Sequence, residues 1–200
     1  MAGYGNTWSN GKSVYMQLKQ DADGHDLDPT DPDNWTVPTP IYRNDASLLN
    51  GNKQLAATAS GGVGMSLDMT YFQDADGRSY YAWQQLGATY IATMDPKDPA
   101  HVTSSPVRIV TPEYAWNAAI AEGPNVTLRD GKLYLMFSGS GVGKTYTTGL
   151  AVADASGTDL TDPASWTVLN YPIQKSGPFN GEMQLGTCLL YTSPSPRDST

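Results

Sequence analysis

The chain has 200 residues, 39% of them apolar and 16% charged, with a formal charge of −8. It holds no run of about 18 apolar residues, so no membrane protein is expected. It also lacks the basic stripe that a nucleic-acid binder needs. The single cysteine, Cys188, excludes a disulfide framework and a multi-cysteine metal site.

Twenty Gly, 14 Pro, 12 Tyr and five Trp describe a turn-rich chain with poor helix-forming stock, which predicts an all-β fold. In chain order, residues 14–19 read as a strand. They are followed by Asp21-Ala22-Asp23-Gly24 and by the run Asp31-Pro32-Asp33-Asn34-Trp35-Thr36-Val37. Strands are then predicted over 66–72, 79–84 and 89–94, with a hairpin turn at Asp74-Ala75-Asp76-Gly77. The same order returns at 125–128, 133–138 and 148–153, with the turn Asp130-Gly131. It closes on Asp162-Pro163-Ala164-Ser165-Trp166-Thr167-Val168, a second copy of the Asp31–Val37 run. A weaker middle copy starts at Asp95-Pro96 and puts Val102 at the tryptophan position, so the unit is about 65 residues long. Repeated antiparallel sheets of about four strands are the blades of a β-propeller; a β-sandwich with chance similarity is the alternative.

The first unit has little ahead of Asn10, which suggests a fragment lacking an inner strand. Residues 188–200 match no repeat position and read as a non-native or disordered tail, leaving 1–187 as the partial propeller domain. The compartment stays open, with a secreted or periplasmic one favoured.

Glu occurs only as Glu113, Glu122 and Glu182, so nearly all the acid is Asp, mostly beside Gly or Pro, where it caps turns. Two carboxylates stand apart from that pattern. Asp68 and Glu122 each lie nine residues ahead of the glycine of their turn, Gly77 and Gly131. Each therefore opens the first strand of its blade, the strand that lines a propeller's central channel. Both sit in apolar company, which raises a carboxyl pKa, and each would raise the other's further. Paired carboxylates with divided roles point to glycoside hydrolysis. The plainer reading is two acids hydrogen-bonded at strand ends. Trp83, after Tyr80-Tyr81, and Trp116, after Tyr114, offer flat faces to a sugar ring or to blade packing. Trp35 and Trp166 recur at a repeat position and read as structural.

Ser138-Gly139-Ser140-Gly141-Val142-Gly143-Lys144-Thr145 is a near-miss to a phosphate-binding loop, but no helix follows it, and it reads as an inter-strand hairpin. The Asp21 and Asp74 loops lack the later Glu of a calcium loop, and His25 and His101 have no partner spacing for a metal or a triad.

With those residues in place, the chain resembles glycoside hydrolase family 43, particularly its α-L-arabinofuranosidase-like members. The likeness rests on Ser66-Leu67-Asp68 with Phe72 to Tyr80, and on Pro112-Glu113-Tyr114-Ala115-Trp116 leading to Ala121-Glu122-Gly123-Pro124. Phe137-Ser138 with Gly149-Leu150-Ala151, and Asp159 to Trp166, add to it. The resemblance implies a five-bladed propeller and an inverting mechanism acting on arabinose- or xylose-containing oligo- or polysaccharides. By it, Glu122 is the general acid, Asp68 tunes and orients that acid, and Trp116 and Trp83 line the sugar. The family's general base is an Asp at the start of the first blade's inner strand; that strand is missing here, so no base is assigned and the fragment itself is expected to be inactive. No cofactor is expected beyond the axial calcium ion that the resemblance allows in the complete enzyme. This chain departs from the family's Gly-His pair at Gly186-Thr187-Cys188, so no metal ligand is assigned. A non-catalytic carbohydrate- or protein-binding propeller is the alternative reading.

Overall fold

The computed structural model describes residues 3–4, 12–46, 49, 66–179 and 182–184. The expectations for the start of the first unit and for residues 188–200 fall outside them, apart from a short strand at the amino end. That strand, β1 (Gly3–Tyr4), forms a three-stranded sheet with β2 (Lys12–Tyr15) and β3 (Thr39–Pro40). Next come β4 (Leu67–Gln73), β5 (Ser79–Gln85), β6 (Ala88–Asp95), β7 (Asp98–Val102) and β8 (Val107–Val110). They make one antiparallel sheet in the order β4-β5-β6-β7, with β8 also paired to β6. The following sheet repeats this plan with β9 (Ala121–Arg129), β10 (Lys132–Gly139), β11 (Thr147–Asp154) and β12 (Thr167–Val168). There β13 (Gln174–Lys175) also pairs with β11. Each of these two sheets is thus four strands deep with an outer strand in two pieces, as a propeller blade is built. A last hairpin joins β14 (Gly177–Phe179) to β15 (Glu182–Gln184).

Local chemistry explains the joints. Asp21, Asp28, Asp31, Asp74, Asp95, Asp159 and Asp162 each accept a hydrogen bond from the backbone N–H two residues on. These are the Asx turns that the aspartate-rich composition predicts. Asp31 and Asp162 each cap a short 3-10 turn, Pro32–Asn34 and Pro163–Ser165. The tryptophan that follows donates its indole N–H to the carbonyl six residues before it, Pro29 for Trp35 and Leu160 for Trp166. The middle copy departs from this plan. Asp98–Val102 is extended and pairs with β6, and no tryptophan is present to close a loop over it.

The core lies between sheets. Phe72, Tyr80, Ala82 and Ile91 on one face of the β4–β8 sheet meet Ala121, Leu133, Leu135 and Phe137 of the β9–β13 sheet. On the opposite face, Tyr81, Trp83, Ala92 and Met94 pack with Ile41, Leu49 and Val102. β5 is buried along its whole length, because it is covered on both faces. Its run Tyr80-Tyr81-Ala82-Trp83 lacks the in–out alternation of a half-exposed strand. At the rim, Ala75 N–H donates to Ala155 C=O at 2.7 Å. The Asp76 carboxylate accepts from Ser156 Oγ at 2.6 Å and Gly157 N–H at 2.8 Å. These bonds tie the hairpin of one blade to the exit loop of the next.

Candidate active site

Both blades carry a β-bulge at the same end. In the first, Leu67 pairs with Gln84 and Thr70 with Ala82, so β4 holds an extra residue around Asp68-Met69. In the second, Glu122 pairs with Ser138 and Asn125 with Met136, so β9 holds its extra residue around Gly123-Pro124. The first bulged residue is left-handed in both, Asp68 at φ +55° and Gly123 at φ +60°. Asp tolerates that conformation better than most residues, because its short polar side chain can bond locally.

This register refines the equal nine-residue spacing read from the sequence. Asp68 and Glu122 do each stand second in their strands, Leu67–Gln73 and Ala121–Arg129. Within the ladders, however, Asp68 corresponds to Gly123 and Glu122 to Leu67, one residue out of step. The cause is the hairpin: residues 74–78 separate the last β4–β5 pair, whereas only Asp130-Gly131 separates the last β9–β10 pair. The two bulges nevertheless meet across the seam between blades. Gly123 N–H donates to Asp68 Oδ2 at 3.1 Å. Alongside, Ala121 N–H donates to Gly87 C=O at 2.8 Å, and Thr89 Oγ1 donates to Ala121 C=O at 3.0 Å.

The electrostatics follow from this placement. Loss of water around the Glu122 carboxyl raises its pKa. A hydrogen bond from Tyr146 opposes that rise, and the Asp68 charge adds to it. Desolvation also raises the pKa of Asp68, against the pull of the Gly123 N–H. Asp68 is open to solvent on one side, so its share of this effect is partly screened.

Tyr146 is the partner that sequence reasoning missed. Its hydroxyl donates to Glu122 Oε1, and its side chain is buried, at 8% exposure. The ladders set Glu122 opposite Ser138 and Ser138 opposite Thr148, so the three share one face of the sheet. Tyr146 lies just ahead of β11 and reaches the same face. Only the pattern of alternation back from Thr148 could have pointed to it.

Trp116 follows Tyr114 in the connection between blades and is half-buried. Its ring stacks on Tyr114 at 5.9 Å and on Phe137 at 6.1 Å, and its indole N–H donates to Asn170 C=O at 3.0 Å. Trp83 corrects an expectation. It is 0% exposed, stacked on Tyr90 at 6.2 Å, and its N–H is spent on Gln85 Oε1. A ring closed in on both faces has none to offer a sugar; Trp83 belongs to the core. The glycine-rich run around 139–145 is the β10–β11 connection, as expected, and no helix follows it.

Two histidines find acid partners that their sequence spacing did not suggest. His101 Nδ1 lies 2.9 Å from Asp98 Oδ1 and stacks on Tyr42, while His25 lies 3.4 Å from Asp21. Asp21, Asp23 and His25 form the one group among the described residues whose ligand atoms could reach a common ion. All three are exposed, and Asp21 is already held by its own loop through the N–H groups of Asp23 and His25. The axial ion implied by the resemblance would fall near Gly186-Thr187-Cys188. That stretch offers no imidazole and lies outside the described residues.

Comparisons agree with this architecture. A family model for glycosyl hydrolases family 43 matches residues 51–190. The chain is 34% identical over 116 residues to an extracellular exo-α-(1→5)-L-arabinofuranosidase of Streptomyces chartreusis, covering 54% of this chain and 35% of that protein. It is 32% identical over 119 residues to α-L-arabinofuranosidase 43 of Humicola insolens, covering 54% of this chain and 24% of that protein. The matched part is therefore about a third or less of these relatives. In fold, the chain superposes on an α-L-arabinofuranosidase from Lactobacillus brevis with a TM-score of 0.58 and 21% identity, over 96% of this chain and 67% of that one. The architecture is all-β, part of a five-bladed β-propeller.

Proposed function

The chain belongs to glycosyl hydrolases family 43, and on that footing we propose that it carries the acid side of an inverting glycosidase site. The substrate is an α-L-arabinofuranosyl or xylosyl unit of a plant oligo- or polysaccharide. The observation that supports this best is the meeting of Asp68 and Glu122 at two bulges of adjacent blades, each with its pKa raised.

Glu122, its carboxyl made harder to ionise by burial and by the charge of Asp68, gives its proton to the glycosidic oxygen as the bond from that oxygen to the anomeric carbon breaks. The leaving sugar departs as an alcohol, and Glu122 is left as a carboxylate. Asp68 supplies the neighbouring carboxylate that tunes and orients this acid, and the Gly123 N–H keeps it turned toward the seam. Water attacks the opposite face of the sugar, activated by a separate base that no residue described here supplies. Trp116 is assigned to the border of the sugar site, through the part of its ring left open by Tyr114 and Phe137. The arabinose preference rests on the named activities of the relatives.

The test is Glu122→Gln in the intact protein. Turnover of arabino-oligosaccharides, whose leaving groups are poor, should fall by about 10²–10⁴-fold with the fold intact. Aryl arabinosides that leave without protonation should be affected far less. Equal kinetics for Glu122→Gln and wild type would remove Glu122 from the role. Tight binding of arabino-oligosaccharide by the wild type without any hydrolysis would favour a non-catalytic sugar-binding propeller.

A further inference from the structure

We propose that Tyr146 is the positioning residue for Glu122, holding Oε1 by its hydroxyl so that the transferable proton is carried on Oε2. This rests on the reading of Glu122 as an acid. A phenol has a single hydrogen to donate. Tyr146 donates it to Oε1, so that oxygen is engaged as an acceptor. When the carboxyl is neutral, the other oxygen carries the proton, and Oε2 becomes the donor toward a ligand. Once the proton has left, the same bond becomes charge-assisted and stabilises the carboxylate. One contact therefore fixes the rotation of the acid before transfer and favours its ionised form afterwards.

The backbone around Tyr146 is anchored for this task. Its N–H donates to Gly143 C=O at 3.0 Å, and its C=O accepts from Ser176 N–H at 2.9 Å and Ser176 Oγ at 2.8 Å. Ser176 Oγ also lies 3.0 Å from Gly143 C=O. Gly143 sits at φ +126°, where an L side chain would be strained. The glycine-rich connection that mimics a phosphate-binding loop in sequence thus has a local use: it brings Tyr146 to the face of the sheet that bears Glu122. Among the described residues, the ionisable groups that act on Glu122 are Tyr146, from the β10–β11 connection, and Asp68, from β4 of the preceding blade.

The experiment follows the Glu122 carboxyl by 13C NMR across pH in wild type and in Tyr146→Phe, which keeps the ring packed and removes only the hydroxyl. Losing a bond that favours the ionised form should raise the Glu122 pKa by on the order of one unit. In the wild type, the Tyr146 Cζ resonance should shift with the Glu122 midpoint, a readout that needs no variant to fold. In the intact protein, Tyr146→Phe should move the basic limb of the pH–rate profile upward by a similar amount. It should also lower kcat on poor leaving groups about tenfold with KM unchanged, and spare activated aryl glycosides. An unchanged Glu122 midpoint in Tyr146→Phe, or a Tyr146 Cζ signal that stays flat through that midpoint, overturns the proposal. If the paired titration is observed but no glycoside is cleaved, the hydrolase reading fails while the Tyr146–Glu122 pair stands.

Discussion

Gly149 offers the sharpest test of how the second blade is packed. It lies in β11 directly opposite Phe137, and a Cβ built there would stand 2.3 Å from Phe137 Cζ, 2.6 Å from Cε2 and 2.7 Å from Trp116 Cη2. Carbon atoms in ordinary contact sit about 3.5–4.0 Å apart. Both rings would therefore have to move by roughly 1 Å or more, and neither has a flexible end to swing aside. Phe137 is fully buried and Trp116 is stacked on it and tied to Asn170. Overpacking of this kind costs about 2–3 kcal/mol. With a urea m-value of about 2 kcal/mol/M for a small domain, Gly149→Ala should lower the unfolding midpoint by about 1–1.5 M. A double variant with Phe137→Leu should recover part of that loss, giving a favourable coupling of about 1 kcal/mol in the cycle. An unchanged midpoint for Gly149→Ala, or strictly additive losses in the double variant, would refute the claim that the glycine exists to let the two rings close over the strand.

Two further outcomes are expected. The raised pKa values of Asp68 and Glu122 mean that their stability contribution is present in full below the unfolded carboxylate values and is lost as pH rises through the folded ones. Asp68→Asn, which keeps an acceptor for Gly123 and tolerates positive φ, should therefore match wild type near pH 3 and become more stable by up to about 1 kcal/mol at pH 7, after allowance for solvent screening. Urea unfolding at both pH values checks this, and a pH-independent difference would contradict it. Asp74 is 4% exposed and accepts from Asp76 N–H, Arg78 N–H, Arg78 Nε and Tyr80 Oη. Asp74→Ala strands the buried Tyr80 hydroxyl, so it should cost about 3 kcal/mol or more by calorimetry. A loss under 1 kcal/mol would show that the hub is not needed.

The parts of the fold legible in the sequence are those fixed by neighbours along the chain. Asp-Pro-x-x-Trp and Asp-Gly are complete local devices, a capped 3-10 turn and a tight hairpin, and the strands between them were visible to within a few residues. The bulges were not visible, because an extra residue is defined only against the partner strand. The true correspondence of Asp68 with Gly123 was therefore out of reach, although both carboxylates stand out in the sequence from the turn-capping aspartates. Trp83 was misjudged for a reason present in the sequence: four consecutive large or apolar residues, 80–83, signal a strand covered on both sides, where no ring is spare for a ligand. Tyr146 is not legible because its bond to Glu122 reaches across β10 to β9, and beyond its alternation with Thr148 nothing in a phenol within a Gly/Thr-rich connection marks it out.

The seam between the blades has a further consequence. Neither sheet alone holds both carboxylates: Asp68 comes from β4 and Glu122 from β9, and the gap between them is set by how one sheet leans on its neighbour. That lean is fastened at the hairpin end of β4, opposite the end that bears Asp68, by Asp76 and its clasp on Ser156 and Gly157. The seam between the two sheets is thus fastened at both ends of β4, by the Gly123–Asp68 bond at one and by the Asp76 clasp at the other, so a change at the hairpin reaches the spacing of the two carboxylates through the strand that joins them.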